Sequence, residues 1–431
     1  MTDPILSLDA CSLIAGVRDG ALSHRAVAEA YLDRIATKEE SVGAFIFHDS
    51  AMVRDAADAL DLAGTRGALA GLPVGVKDVI DTCDMPTGYG SALYGATQPV
   101  WDAPCVTQSR QAGALMMGKT VSTEFAMASP GKTRNPWNTA HTPGGSSSGS
   151  CAAVASGMAL MGFGTQTAGS IIRPASYCGV VGYKPSFGLL DPSEIKVLSH
   201  SLDTLGVVTR RVADAALVAA ILGGRPGLAL KGLPDTAPRI GVFRTPPFNT
   251  EAATDAALDH AIRALGAAGA RVTDITPPTD FGSTHGLHAA IMGWEVSRAL
   301  SHERLVLGDR LTEVTRAFLA EKARVTVEEY DAARRALPAV HQSLSQAMAE
   351  VDILLAPSAP GTAPKGLEAT GSPEFNTPWT VLHMPALTLP AILSDGLPVG
   401  VQIIGRIGED AATLRAAAWV ERCLEAPKVA P

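Results

Sequence analysis

From residue 6 to 62 the apolar positions recur at helical spacing, which predicts helix over this whole stretch. Within it, "SHRAVAEAYLDRIATKEE" has the period of a helix packed on a core, and Ser23 is placed to cap its first turn. The pattern then changes. "LAGLPVGVKDVID" (69–81) is predicted as a strand, "APCVTQSRQAGA" as a short helix ending at a glycine, and "LMMGKT" (115–120) as a strand. Residues 130 to 150, rich in Gly, Ser, Pro and Asn, are predicted as loop. "SCAAVASGMAL" follows as a helix of small residues, "MGFGTQTAGSIIRP" as strand then turn, and "GVVGYKPS" as a short strand.

Downstream, "RIGVFRT" (239–245) is predicted as a strand. "TDAALDHAIRALGAAGARVTDI" reads as helix, glycine stop and strand. Residues 286 to 350 are mostly amphipathic helix. "VDILLAPSAP", "PALTLPAIL" and "LPVGVQIIGR" are predicted as strands, and "EDAATLRAAAWVERCLEA" (409–426) as a closing helix. The alternation of strands and helices from start to finish predicts a single α/β domain spanning 1–431, with a mixed sheet covered by helices on both faces.

Composition narrows the function. With 431 residues, 46% hydrophobic and 18% charged, the chain suits a folded protein with a large core. Net charge is −8 and Lys and Arg are scattered, so no basic stripe for nucleic acid is expected. No apolar run is long enough for a membrane span, and the first residues are acidic where a signal peptide would be basic. The six cysteines lie far apart without CxxC, which reads as reduced thiols in a cytoplasmic protein. His285 and His288 form an HxxH, but without HExxH they read as ordinary helix or loop histidines, so no metal is expected.

Two motifs fail in context. "GALMMGKT" (113–120) matches a phosphate loop, yet a helix precedes it and its variable positions are apolar strand residues, the reverse of the required order. "GSSSG" (145–149) would make Ser147 the exposed serine of a nucleophile elbow, but loop rather than strand precedes it.

Three features carry chemistry together. Lys77 lies among valines at the end of an apolar strand, where desolvation favours the neutral amine that serves as a base. An ion pair with Asp78, or an amine snorkelling to the strand edge, is the competing reading for a lone lysine. "TPGGSSSGSCAAVASG" (142–157) supplies hydroxyls beside a helix start and runs directly into an apolar helix, unlike a linker. In "TQTAGSIIRP", small residues before Ser170 allow several backbone N–H groups to aim at one point, as an oxyanion requires.

These stretches, with "DMPTGYGSALY", "AGALMMGKTVSTEFA", "FNTPWTVLHMPALTLPA" and "GLPVGVQIIGR", resemble the amidase signature family over about residues 10 to 425. The resemblance implies a Ser-cisSer-Lys triad. Ser170 would be the nucleophile, Ser146 the bridge across a cis Gly145–Ser146 bond, and Lys77 the base. Backbone N–H groups of Thr167, Ala168, Gly169 and Ser170 would form the oxyanion hole, with no cofactor or metal. Residues 66–200 would be the signature core, 1–65 an N-terminal helical segment, and 280–345 a helical region shaping the substrate pocket.

Where the family commonly reads D-T-G-G-S-I-R, this chain has Gln166, Ala168 and Arg173 one residue late, and Ser148 replaces a common glycine. That detail looks most like malonamidase-type members, which implies substrate contacts for Arg173, through a carboxylate, and for Ser147. Arg173 as a purely structural residue is the alternative. The expected activity is hydrolysis of a small amide through a serine acyl-enzyme. The alternative is the glutaminase-type subunit of a tRNA-dependent amidotransferase, and a catalytically dead scaffold is the third reading. The expected partner is a small-molecule amide, without nucleic acid or membrane, in a protein that could form a homodimer.

Overall fold

The computed structural model describes residues 3–95, 97–232, 236–244 and 249–424. Among them, eleven strands form one mixed sheet. In chain order these are β1 (Phe45–Phe47), β2 (Pro73–Lys77), β3 (Leu115–Thr120), β4 (Met161–Gln166), β5 (Val181–Lys184) and β6 (Thr204–Thr209). They continue as β7 (Arg239–Val242), β8 (Arg271–Asp274), β9 (Ile353–Pro357), β10 (Ala386–Ser394) and β11 (Leu397–Ile404). The order across the sheet is β1-β3-β2-β4-β6-β5-β10-β11-β9-β7-β8. β2 runs parallel to both β3 and β4, and β7 to both β8 and β9; the remaining pairs are antiparallel.

At β9, strand alternation separates two buried clusters. Side chains of successive strand residues leave opposite faces. Ile353 and Leu355 of β9 accordingly join one buried cluster, with Leu258, Leu414 and Trp419. Leu354 and Ala356 join another, with Phe281, Val340, Leu344 and Trp379. The first cluster takes in the helices Ala252–Ala267 and Asp410–Leu424, and the second takes in Val327–Ala347 and Thr377–Val381. Because both faces are covered, β2, β3 and β4 are buried almost throughout and read as continuous apolar and small runs.

Several sequence expectations need correction. Residues 6–62 are not continuous helix. Ser23 does cap the helix His24–Val42, accepting from Ala26 N–H at 3.0 Å. That helix ends at Gly43 in the left-handed region, and β1 intervenes before the helix Ser50–Leu62. The strand predicted over 69–81 is confined to Pro73–Lys77. The turn after Ser170 continues as a buried helix, Ile172–Cys178. β6 and the helix Val212–Leu222 have no counterpart in the pattern-based elements. The strand predicted over 239–245 is Arg239–Val242, and Thr245 lies outside the described residues, as do residues 425 and 426 of the closing helix.

Lys119 of the phosphate-loop-like stretch sits inside β3, fully buried. Its amine donates to Thr87 Oγ1 at 2.7 Å, to Thr82 Oγ1 at 3.3 Å and to the Ile80 carbonyl. No described helix is long and apolar enough to cross a membrane.

The helix Ser148–Ala155 lies close against β3, and Gly149 makes this approach feasible. Its N–H donates to Val121 O at 3.0 Å, and a Cβ there would lie 2.3 Å from both Ala44 O and Val121 N. Because those neighbours are backbone, Gly149→Ala is expected to destabilise the fold by about 2 kcal/mol or more, read as a fall in thermal midpoint.

Candidate active site

β2, β3 and β4 run side by side in the same direction, so their C-terminal ends open on one edge, where ligands of parallel sheets bind. β2 ends at Lys77. The loop after β3 brings Ala126 and Met127, and the loop after β4 brings Thr167 to Ser170. The glycine- and serine-rich segment enters from the side, with Ser146 just before the helix Ser148–Ala155. The Gly145–Ser146 bond is cis.

Lys77 is fully buried, and its Nζ lies 2.8 Å from Ser146 Oγ, 69 residues further along the chain. Burial pushes its amine down to about 7, against weaker opposing effects of Cys151 and Asp203. Asp78 is not its partner: that carboxylate accepts from the N–H groups of Gly88 and Gly90 at 2.9 and 3.0 Å. A second contact is invisible in the sequence pattern. Lys77 Nζ also donates to Thr165 Oγ1 on β4 at 2.7 Å, so two hydroxyls fix the amine.

Ser170 lines a cavity of about 270 Å³, and its hydroxyl makes no hydrogen bond among the described residues. The two serine loops meet at the backbone, where Ser147 N–H donates to the Ser170 carbonyl at 3.3 Å. The loop from Thr167 to Ser170 is polarised. Its four carbonyls accept from His288 Nε2 (2.8 Å), Thr380 Oγ1 (2.7 Å), Arg173 N–H (3.0 Å) and Ser147 N–H respectively. Its four N–H groups enter no hydrogen bond among the described residues. Free N–H groups beside a free hydroxyl suit an anionic tetrahedral intermediate.

Gln166 supports the loop. Its Oε1 accepts from Ile171 and Ile172 N–H at 2.8 and 3.0 Å, while its Nε2 donates to Thr380 Oγ1 at 3.0 Å. Thr167 Oγ1 donates to Asp203 at 2.6 Å; burial raises that carboxyl, and Leu198 and Ser199 N–H also bond it. None of Asp203, His288, Thr380 or Thr165 is among the site residues that the sequence pattern singles out. Thr165 and Thr380 lie within stretches that carry the family resemblance, but nothing in those stretches marks them as contacts of the site; Asp203 and His288 lie outside those stretches.

Arg173 lines the same cavity. It is buried, and its Nη2 donates to Gly145 O at 2.7 Å and Thr370 Oγ1 at 3.1 Å. Its Nε has no partner, and among the described residues no carboxylate pairs with it. Burial lowers its guanidinium to about 10.

Ser147 requires correction. It is fully buried, lies outside the cavity lining, and its hydroxyl sits against the backbone of Thr165, 3.4 Å from the N–H and 3.5 Å from the carbonyl. The expected substrate contact does not fit those surroundings. From the 280–345 region, Met292, Val296 and Phe318 form an apolar wall of the cavity. His285 and His288 bond the carbonyls of Glu374 and Thr167. A group that could attract a metal, Cys83, Asp84 and Asp102, lies at the surface, with Arg110 paired to both acids.

The model of the Amidase family matches residues 26–414. A glutamyl-tRNA(Gln) amidotransferase subunit from Roseiflexus castenholzii is 32% identical, covering 92% of this chain and 91% of the relative. A solved amidase superposes with TM-score 0.87 at 29% identity, covering 97% of this chain and all of the other. The corresponding glutamyl-tRNA(Gln) amidotransferase subunit from Thermotoga maritima superposes with TM-score 0.80 at 27% identity, covering 100% and 98%. The extent of the family match, the full-length relatives and the shared α/β architecture together show that this chain belongs to the amidase signature family of hydrolases acting on amide C–N bonds.

Proposed function

We propose that Ser170 attacks the primary amide of a small substrate that carries a carboxylate of its own. Neutral Lys77 accepts a proton from Ser146, which accepts the Ser170 proton as Ser170 Oγ bonds the amide carbon. The N–H groups of Thr167 to Ser170 receive the oxyanion. The protons return through Ser146 to the leaving nitrogen, ammonia departs, and water releases the acyl group. The chain's own residues supply each of these roles, so no cofactor enters the scheme.

One observation carries the substrate class. Arg173 holds a positive charge in the cavity wall beside Ser170 with no protein carboxylate to balance it among the described residues. A buried unpaired charge is costly, and a substrate carboxylate would offset it. The apolar wall of Met292, Val296 and Phe318 would enclose the acyl chain.

The names of the relatives favour glutamine as this acid amide, in a chain that works with partner subunits. The cavity lining favours a free-standing, malonamidase-like enzyme on simpler acids. It contains no carboxylate to meet the α-ammonium of glutamine. Six free cysteines are in keeping with a cytoplasmic setting for either.

A panel of L-glutamine, 4-carbamoylbutanoate and butyramide separates these readings. The carboxylate-bearing amides are expected to be preferred. Arg173→Met should lower their kcat/KM about 10- to 100-fold and leave butyramide within about threefold. Equal losses on all three would assign Arg173 a structural role. A preference for glutamine, rising when an amidotransferase partner is added, would select the amidotransferase reading. A preference for 4-carbamoylbutanoate without a partner would select the free-standing enzyme.

A further inference from the structure

The peptide group is planar and trans, so a carbonyl and the N–H of the next residue point in opposite directions. In the loop after β4, the Thr167 carbonyl accepts from His288 Nε2 and the Ala168 carbonyl from Thr380 Oγ1. We infer that His288 and Thr380 are positioning residues for the oxyanion-binding loop: by holding those two carbonyls they aim the N–H groups of Ala168 and Gly169 into the cavity beside Ser170. This rests on the reading of Ser170 as nucleophile and adds two residues that touch neither it nor the substrate.

The anchors are themselves fixed. His288 lies on the helix Thr284–Ala299, and Glu295 of that helix accepts from Ser201 N–H at 2.9 Å, Ser201 Oγ at 2.6 Å and Tyr330 OH at 2.9 Å. A carbonyl only accepts, so His288 must carry its proton on Nε2. Burial lowers the imidazole to about 4, which keeps this neutral tautomer across the working range.

Thr380 has one hydroxyl proton and two carbonyls in reach, Ala168 at 2.7 Å and Asn376 at 3.3 Å; the nearer is Ala168. The Gln166 amide donates to the same hydroxyl, which leaves that proton directed at Ala168. An aspartate at 166 could accept from Ile171 and Ile172 but could not donate to Thr380. Gln166 and Thr380 therefore work as a matched pair in this chain.

The test compares each anchor's non-bonding and bonding replacements: His288→Leu with His288→Gln, and Thr380→Val with Thr380→Ser. The first reading is the second-order rate at which a small fluorophosphonate labels Ser170, since phosphonylation also develops an anionic oxygen and does not depend on knowing the substrate. His288→Leu and Thr380→Val are expected to slow labelling about 10- to 100-fold, with His288→Gln and Thr380→Ser recovering to within about threefold. On an amide substrate the loss should fall on kcat, with KM within about twofold. Unchanged labelling, or equal losses in the bonding and non-bonding members of each pair, would overturn the positioning role. Should His288→Leu not fold, the near-isosteric Thr380→Val decides alone. A wild-type protein that resists labelling would remove Ser170 as nucleophile and the positioning role with it, whereas a labelled wild type with unaltered variants removes the positioning role only.

Discussion

Ser170→Ala is expected to lower kcat at least about 10⁴-fold and to abolish fluorophosphonate labelling, while the thermal midpoint stays close to wild type. The two expectations have separate physical origins. The Ser170 hydroxyl makes no hydrogen bond among the described residues, so removing it leaves no buried group unpaired and opens no gap in the core. Chemistry, by contrast, has no substitute. Ser146 Oγ is held by Lys77 Nζ at 2.8 Å and Ser147 Oγ sits against the backbone of β4; neither residue lines the cavity, so neither takes over the attack on the carbonyl. Retention of more than about 1% of wild-type kcat, checked by steady-state ammonia release, would refute the nucleophile assignment.

The second large effect concerns pH. Catalysis requires neutral Lys77, and burial places its amine at about 7. Below that value kcat/KM is expected to fall about tenfold per pH unit, and above it to level off. His288, held near 4, adds no limb in this range. Stability carries a second signature of the same burial, in a higher pH window. The unfolded chain keeps Lys77 charged up to its ordinary value of 10.5, so between about 7 and 10.5 the unfolded state binds more protons. Wild-type stability therefore gains a component that rises with pH across that window. Lys77→Met should eliminate activity, remove that component, and stabilise the protein at pH 7 by on the order of 1–4 kcal/mol. Denaturant unfolding of both proteins at several pH values would check this. A variant less stable than wild type throughout would show that the bonds to Ser146 and Thr165 outweigh the cost of burying the amine.

The sequence pattern discloses what depends on local chemistry. A lysine closing an apolar run, hydroxyls before a helix of small residues, and a turn of small residues before Ser170 are all contiguous signals. The structure brings Lys77 and Ser146 within 2.8 Å. What stays hidden depends on tertiary contact. Thr165, Asp203, His288 and Thr380 are ordinary in their own stretches, and only the sheet order and the packed helices bring them to the loop after β4. The expectation for Ser147 fails because a serine-rich run does not reveal which hydroxyl faces which strand. The missed elements have related causes. The helix Val212–Leu222 is apolar nearly all round, so it has no stripe to betray its period. Ile172–Cys178 carries Pro174 in its first turn and is short enough to read as a turn. β1, three residues between two amphipathic helices, is too brief to interrupt a helical pattern.

The place of β10 and β11 has a consequence for biosynthesis. This hairpin closes the gap between β5 and β9, although it is translated after the nine other described strands. Until it emerges from the ribosome, the nascent polypeptide holds two incomplete half-sheets, each with an open hydrogen-bonding edge. Thr380 is delivered only just before it. A truncation upstream of residue 386 would therefore yield an aggregation-prone product rather than a smaller working enzyme, and slow late assembly would make recruitment of a holdase chaperone during synthesis advantageous.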